Sequence, residues 1–150
     1  MRLRNSFQEK HIQDFSKRFD KSLLSHISKQ ISVDKRIKQS MSYFDKTGGK
    51  RIRPFLINTM GKLIGIKAQT LNDFSLAVEC VHLHSLIHDD LPAMDNDDYR
   101  RGKLTVHKKF DEATAVLAGD MFQVLSVKTL VESKHLLPRE KVEAIQMLSK

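Results

Sequence analysis

The stretch HLHSLIHDDLPAMDNDDYRRGK, residues 82–103, joins an apolar, histidine-rich run that predicts a helix to a loop of aspartates and arginines. The aspartates are Asp89, Asp90, Asp95, Asp97 and Asp98, and the arginines are Arg100 and Arg101. Carboxylates this close in sequence repel one another unless positive charge lies among them. A hard divalent cation that shares its oxygen ligands with phosphate supplies such charge, and the arginine fork matches phosphate oxygens. The stretch therefore predicts a metal-bridged phosphate site.

The charge of the chain is unevenly distributed. The 150 residues carry a formal net charge of +8, but residues 1–67 hold +11, whereas residues 68–110 hold −2 and residues 111–150 hold −1. A basic first half and an acidic centre suit nucleic acid, an anionic membrane surface or a small anionic substrate held by metal. Only the last of these uses both regions. Nucleic acid is supported by charge alone, because neither an interleaved aromatic platform nor a known binding motif occurs.

Apolar residues recur at helical spacing through most of the chain. The pattern predicts a first helix over 6–31 and a second that is capped by Ser32 or Asp34 and stops at Gly48-Gly49. A third helix is predicted to begin at Arg53-Pro54, and a fourth to run from a cap at Thr70 to Asp89, with Pro92 bending or ending it. A fifth is predicted over 111–133, and a sixth begins at Pro138. No stretch predicts a strand, so the expected fold class is all-α. The helix over 111–133 is apolar on nearly all sides, which predicts a central position and more partners than 150 residues supply. We therefore expect the N-terminal part of a larger helical protein.

Asp89 and Asp95 are the strongest candidate metal ligands. They are six residues apart, and the bend expected at Pro92 allows both to face one cavity at the mouth of a helical bundle. A solvated acidic loop explains a bare DDxxxxD pattern about as well. A calcium-binding EF-hand is excluded, because counting from Asp95 places Arg100 where glycine is needed and Val106 where glutamate is needed. Magnesium shared with a substrate fits better.

A second candidate site is the turn GKRIRP, residues 49–54. It places three cations, Lys50, Arg51 and Arg53, where a helix begins and where main-chain N–H groups and the helix dipole attract anions. An ordinary basic surface turn is the alternative, and on this motif alone it is the better supported one.

The histidines near the aspartates differ in their position on the predicted helix relative to Asp89. His82 precedes Asp89 by seven residues, two helical turns, so both lie on one face. His84 and His88 lie on other parts of the helix circumference. None of the three has the partner spacing of a zinc site, and the HExxH motif is absent.

Composition also limits the cellular setting. Cys80 is the single cysteine, so an internal disulfide is impossible and a buried thiol in a reducing compartment is expected. The basic N-terminus lacks the apolar segment of a secretory signal. Charged residues such as Lys62, Glu79 and Asp120 interrupt the apolar runs, short of the roughly 18 residues that a membrane span needs. We expect a cytoplasmic protein without a membrane span.

Three segments in matching order and spacing, GGKRIRPFL, AVECVHLHSLIHDDLPAMDNDDYRRGK and FDEATAVLAGD, closely resemble the short-chain trans-prenyltransferases, also called polyprenyl synthases. The resemblance covers about 45–125 and is nearest to the bacterial farnesyl diphosphate synthases, or geranyltranstransferases. It implies that residues 1–150 form the N-terminal half of a single isoprenoid-synthase helical bundle. It also implies condensation of isopentenyl diphosphate with dimethylallyl or geranyl diphosphate to farnesyl diphosphate, in isoprenoid biosynthesis, by a homodimer.

The resemblance assigns roles to individual residues. Asp89 and Asp95 are expected to bind Mg2+ as the first Asp-rich motif and so hold the allylic diphosphate, with Asp90 a less certain ligand. Arg100 is expected to contact the same diphosphate and so to act with these aspartates in catalysis. The isopentenyl diphosphate is expected to lie on Lys50, Arg53, His82 and Arg101.

Product length is expected to depend on His84 and Ser85, a turn or so before Asp89. In a bacterial farnesyl enzyme an aromatic residue such as tyrosine is expected at the position of His84. Histidine is bulky enough to favour a C15 product, while a C20 product, made by a geranylgeranyl diphosphate synthase, stays open.

One departure from the family pattern is large. The second Asp-rich motif, DDxxD, and the lysine before it do not occur in the 150 residues. We therefore expect little or no activity from this chain alone, and an exposed apolar patch that promotes association. One alternative is a non-catalytic partner subunit or relic of such an enzyme. Another is a terpene cyclase, but a cyclase binds no second diphosphate and would not need Lys50, Arg53 and Arg101.

Overall fold

A computed structural model describes residues 2–29 and 34–150, and this part of the chain consists of seven helices and one short hairpin. The elements in chain order are α1 (Arg2–Ser28), α2 (Lys35–Asp45), α3 (Ile52–Leu63), α4 (Ala68–Asp89), β1 (Tyr99–Arg100), β2 (Lys103–Leu104), α5 (Val106–Lys109), α6 (Glu112–Val131) and α7 (Pro138–Leu148). The predicted all-α class is confirmed. The hairpin and the short α5 were not predicted from the sequence.

The helix starts are partly as predicted. Asp34 caps α2, and its Oδ1 accepts hydrogen bonds from the main-chain N–H groups of Arg36 at 2.7 Å and Ile37 at 3.2 Å. The alternative cap Ser32, like the predicted end of the first helix at residue 31, lies outside the described residues. The Thr70 cap is wrong, because α4 begins at Ala68 and takes Thr70 into its first turn. Residues 66–69 are exposed, so water can satisfy the first N–H groups of α4 without a side-chain cap.

The main core lies where α4 and α6 pack against each other, with α1 and α2 adding further side chains. Among its fully buried members are Leu83 and Ile87 of α4 and Phe122 and Leu125 of α6. Helix α1 contributes the predicted apolar stripe, of which Phe19, Leu23 and Ile27 are buried. Cys80 is buried in this core, as predicted, and burial raises the pKa of its thiol. The α4–α6 contact therefore sets the frame on which the charged loops are mounted.

Helix α6 is less enclosed than its sequence predicts. One face packs on α4, but Leu117, Val124 and Val131, spaced seven residues apart, are 52%, 55% and 50% exposed. Leu56 and Met60 of α3 are also exposed, so the expected exposed apolar surface is present.

Among the described residues, α6 is also the one helix long and apolar enough to cross a membrane, although Asp120 was expected to interrupt its apolar run. Half of its most apolar 18-residue window is buried within the protein, and core helices meet the same criteria of length and composition.

The hairpin between α4 and α5 corrects the prediction of an irregular connection. Its turn residues Arg101 and Gly102 both have positive φ, 53° and 76°, as a two-residue type I′ turn requires. The hydroxyl of Tyr43 in α2 donates a hydrogen bond to the Leu104 main-chain carbonyl at 2.8 Å. The hairpin is thereby attached to α2, and Arg100 and Arg101 are held at its tip.

Candidate functional site

The site is built around a buried arginine, which in the sequence is only one of three cations in a basic turn. Arg51 is 3% exposed and adopts a left-handed backbone conformation, with φ 48°. Its Nε lies 2.7 Å from Asp20 Oδ1, its Nη2 2.5 Å from Asp45 Oδ1 and its Nη1 2.7 Å from Glu79 Oε1. Because the guanidinium is occupied by three carboxylates, Arg51 ties α1, α2 and α4 together at the start of α3. It supports the site and is not a free anion-binding group.

The electrostatics of this cluster are unbalanced, since one guanidinium faces three carboxylates. Burial raises the pKa of Asp45 to about 6 against the opposing effect of Arg51, and the charges of Asp20 and Glu79 raise it further. Burial also disfavours the charged form of Arg51, but the surrounding carboxylates outweigh it and raise the pKa of the guanidinium. Arg51 therefore stays charged, while Asp45 retains a proton to a higher pH than an ordinary aspartate does.

A cavity of about 530 Å³ opens beside this cluster. The residues that line it are Gly49, Lys50, Arg51, Ile52, Arg53, Glu79, His82 and Arg101. All four residues assigned by resemblance to isopentenyl diphosphate, Lys50, Arg53, His82 and Arg101, are therefore brought together, although they come from three separate parts of the chain. In the described part of the chain, none of the three cations Lys50, Arg53 and Arg101 forms an ion pair. We call this cavity the basic pocket.

The cations around the basic pocket make its electrostatic potential positive. Burial lowers the pKa of Arg101, and the neighbouring charges of Arg51 and Arg100 lower it further. Burial likewise lowers the pKa of His82, and the charge of Arg53 adds to that effect. Cations that disfavour one another in this way are stabilised by a bound anion. The arrangement suits a multiply charged anion such as a diphosphate.

The acidic loop that follows α4 divides its five aspartates into two groups. Three form ion pairs: Asp90 with Arg100, Asp97 with Arg100 at 3.8 Å, and Asp98 with Lys108 at 2.9 Å. The other two, Asp89 and Asp95, form no ion pair with any described residue. Asp89 is half-buried and Asp95 exposed, so both carboxylates remain accessible from solvent.

The two unpaired aspartates lie at one turn of the backbone. The main-chain N–H of Asp95 donates a hydrogen bond to the Asp89 carbonyl at 2.9 Å, so the loop folds back onto the end of α4. The negative end of the α4 dipole lies at the same place. Two carboxylates without a counter-charge at a helix C-terminus form a suitable oxygen ligand set for a hard divalent cation.

Arg100 lies between the acidic loop and the basic pocket, but its main partner is a protein side chain. Its Nε is 2.7 Å from Oδ1 and 3.0 Å from Oδ2 of Asp90, and its Nη2 is 2.5 Å from Oδ1. Asp90 is 1% exposed, so this pair fixes the guanidinium firmly. The hydrogen bond with Asp90 also raises the pKa of Arg100. Asp90 therefore anchors Arg100 and, unlike Asp89 and Asp95, already has a counter-charge.

The residues predicted to control product length lie at the α4–α6 contact. His84 Nδ1 is 3.1 Å from the Gly119 carbonyl of α6, and the Ser85 hydroxyl donates to the His82 carbonyl of its own helix at 2.9 Å. Their role in product length stays a prediction.

The helical bundle therefore places a basic pocket that suits phosphate groups beside an acidic, partly unpaired loop that suits a divalent cation. The family model described as polyprenyl synthetase matches residues 34–150. The chain belongs to the polyprenyl synthetase family, and the resemblance noted from its motifs is confirmed.

Curated relatives agree with this assignment. The chain is 46% identical over 111 residues to the farnesyl diphosphate synthase of Haemophilus influenzae, covering 74% of this chain and 38% of that protein. It is 52% identical over 107 residues to the farnesyl diphosphate synthase of Micrococcus luteus, covering 71% of this chain and 36% of that protein. The chain therefore spans less than half the length of the relatives it matches.

Solved structures confirm the isoprenoid-synthase fold. An FPP/GFPP synthase from Zymomonas mobilis superimposes with a TM-score of 0.83 at 38% identity, covering 94% of this chain and 52% of that chain. A geranyltransferase from Legionella pneumophila gives the same TM-score and identity, covering 97% of this chain and 51% of that chain.

Proposed function

We propose that this chain carries the diphosphate-binding residues of a prenyltransferase that condenses isopentenyl diphosphate with dimethylallyl or geranyl diphosphate to farnesyl diphosphate in isoprenoid biosynthesis. The observation that carries the proposal is the presence of two unpaired charge clusters of opposite sign. The cations of the basic pocket suit a free diphosphate, whereas Asp89 and Asp95 suit a diphosphate that arrives with metal. The names of the relatives support the same reaction.

Asp89 and Asp95 are the residues that hold the metal in this proposal, and Mg2+ is the ion we assign. Their carboxylates are accessible and lack counter-charges within the described residues, as the ligand set of a shared, partly hydrated Mg2+ requires. When bound, the ion neutralises charge on the diphosphate as it leaves the allylic carbon.

Arg100 stabilises the same leaving group in this account. Its guanidinium is held by the buried carboxylate of Asp90 and is 22% exposed, so it is fixed and still reachable from the loop surface. A donor that is already positioned lowers the barrier more than one that must reorganise during the reaction. Asp90 is thus assigned as a positioning residue.

The basic pocket holds isopentenyl diphosphate in this proposal. Lys50, Arg53 and Arg101 supply positive charge, and His82 supplies a further ring nitrogen at the pocket wall. The double bond of this substrate attacks the allylic carbon, and loss of a proton completes the step. A terpene cyclase has no second diphosphate to bind, so a cation-lined pocket separate from the acidic loop favours the condensing enzyme.

Several finer features belong to the same proposal. The allylic cation must be shielded from water, and we assign α4 and α6 as parts of the apolar wall, with His84 and Ser85 favouring a C15 over a C20 product. We further propose a homodimer in the cytoplasm.

Because the chain spans less than half the length of its relatives, turnover by the 150 residues alone is expected to be weak or absent. A non-catalytic partner subunit is the second candidate function and shares both binding sites.

The test is calorimetric titration of geranyl diphosphate into the folded chain, with and without Mg2+. We expect binding that requires Mg2+ and that weakens at least tenfold in Asp89→Asn. Asp98→Asn is the matched control, since it removes the same charge from an aspartate that Lys108 already neutralises, and its affinity should stay close to wild type. Geranyl diphosphate binding of equal affinity with and without Mg2+, or equal weakening in both variants, contradicts the assignment of Asp89 and Asp95 as Mg2+ ligands.

Diphosphate release in the presence of both substrates then separates the two candidate functions. Mg2+-dependent release that Asp89→Asn abolishes supports catalysis by the chain itself and contradicts the expected inactivity. Binding of both substrates without release agrees with that expectation.

A further inference from the structure

Two histidines of α4 face α6 from successive helical turns. His84 Nδ1 lies 3.1 Å from the Gly119 carbonyl, and His88 Nε2 lies 3.1 Å from the Val116 carbonyl. The centroids of the two imidazole rings are 4.4 Å apart. Gly119 makes this approach possible, because a β-carbon there would lie 2.2 Å from His88 Nε2. The backbone of α6 is thus shaped to receive the two rings side by side.

A carboxylate from α6 completes the group. Asp120 Oδ1 lies 3.7 Å from His88 Nε2, and Asp120 has no other ion-pair partner among the described residues. One donor atom from each of His84, His88 and Asp120 can be chosen such that all three lie within 4.8 Å of one another. The Asp120 side chain is 56% exposed and that of His88 28% exposed, so an ion can reach the group from solvent.

We propose that His84, His88 and Asp120 form a binding site for a first-row transition metal ion, with Zn2+ as the representative ion. Imidazole nitrogen with carboxylate oxygen is a donor set that suits Zn2+, Ni2+ and Cu2+ and does not suit Mg2+. Three protein ligands at a partly exposed position leave a fourth position for water or another small ligand. The site therefore differs in chemistry from the Asp89 and Asp95 pair, although His88 immediately precedes Asp89 in the chain.

The surrounding hydrogen bonds support the proposal. Histidine ligands usually donate their second ring N–H to a main-chain carbonyl or carboxylate, which fixes the tautomer and leaves a lone pair for the metal. His84 has this arrangement, since Nδ1 donates to the Gly119 carbonyl and Nε2 remains for the ion. His88 Nε2 lies 3.1 Å from the Val116 carbonyl and 3.7 Å from Asp120 Oδ1, so it must exchange the carbonyl contact for the ion.

The distances require only a small closure. Ligand atoms around a tetrahedral zinc ion are about 3.3 Å apart, given bonds of about 2.0 to 2.1 Å. The three donors lie within 4.8 Å of one another, so they must approach one another by up to about 1.5 Å to reach that spacing. The group has no signature in the sequence, because His84 and His88 lie on α4 whereas Asp120 lies on α6.

The test is titration of the untagged chain with Zn2+ in Mg2+-free buffer, followed by calorimetry, and with Co2+, followed by its visible absorption. We expect one ion per chain, and affinity at least tenfold weaker in Asp120→Asn and in His84→Gln. Asp120 is largely exposed, so its variant is expected to fold, which circular dichroism checks. His135→Gln is the control, since His135 is an exposed histidine away from the group.

The outcomes separate this site from the acidic loop. Loss of Zn2+ binding in Asp120→Asn but not in Asp89→Asn supports the proposal, whatever the chain does with diphosphates. Absence of binding by the wild-type chain, equal binding by Asp120→Asn, or dependence on Asp89 alone overturns it.

Discussion

The guanidinium of Arg101 lies directly over Gly49, and the two residues come from separate loops that meet at the basic pocket. A β-carbon at position 49 would lie 2.8 Å from Nη1 and 3.3 Å from Cζ of Arg101. Gly49 is therefore required for space and not for backbone conformation. The absence of a side chain there is what lets a cation from the hairpin turn enter a pocket built mainly on α3 and α4.

Replacing Gly49 by alanine should displace Arg101 and weaken anion binding. Inorganic diphosphate is expected to bind roughly tenfold more weakly, the size of one lost charge-assisted hydrogen bond. The unfolding free energy should change by less than about 0.5 kcal/mol, because the displaced group is the flexible end of a side chain. Isothermal titration and urea denaturation measure the two quantities.

Gly48→Ala is the matched control for that prediction. Gly48 has φ +84°, and a β-carbon at this position would have no neighbouring atom within 4 Å, so alanine there is strained but meets nothing. It should cost about 1 kcal/mol of stability and leave diphosphate affinity unchanged. The same response from both variants would refute the steric role of Gly49.

Arg51 should contribute to stability far more than its surface neighbour. Arg51→Met leaves the buried carboxylates of Asp45 and Glu79 without their counter-charge, which is expected to cost about 3 to 5 kcal/mol of unfolding free energy. Arg53→Met removes the same charge from an exposed side chain two residues later and should change stability by less than about 0.5 kcal/mol. Chemical denaturation of the two variants measures both values, and similar costs would contradict the buried cluster.

Asp45 should make stability depend on pH in an unusual direction. Its pKa is about 6 in the folded protein against an ordinary value of 3.8, so between these pH values the folded state binds more protons. The stability that the carboxyl contributes is therefore full below about pH 4 and declines as pH rises through 6, by roughly 1 to 3 kcal/mol.

Comparison with Asp45→Asn isolates this effect, because asparagine does not titrate. The unfolding free energy of wild type minus that of the variant should fall between pH 4 and pH 7. A difference that is constant or grows with pH would show that the Asp45 carboxyl is ionised throughout.

The sequence predicted the helices well because their apolar spacing is a local property. Asp34, Pro138 and the Gly48-Gly49 pair mark helix ends within a few residues, and the structure confirms them. The Thr70 cap failed because exposed N–H groups at the start of α4 need no side chain. The hairpin was missed because each strand has two residues, too few for a period-two pattern.

Residues of the candidate site could be predicted where a local motif identifies them. They could not be predicted where their role depends on a partner distant in sequence. Asp89 and Asp95 could be chosen from the motif, but the pairing of Asp90 with Arg100 could not. Arg51 looked like its neighbours in sequence, because the partners that bury it lie as far as 31 residues away.

The most direct test is calorimetric titration of isopentenyl diphosphate into the folded chain without metal, since a second diphosphate site distinguishes a condensing prenyltransferase from a terpene cyclase. We expect one binding event per chain that weakens at least tenfold in Arg101→Gln and is unchanged in Arg139→Gln, which alters an exposed arginine on α7. Absence of binding by wild type, or equal binding by Arg101→Gln, would contradict this expectation.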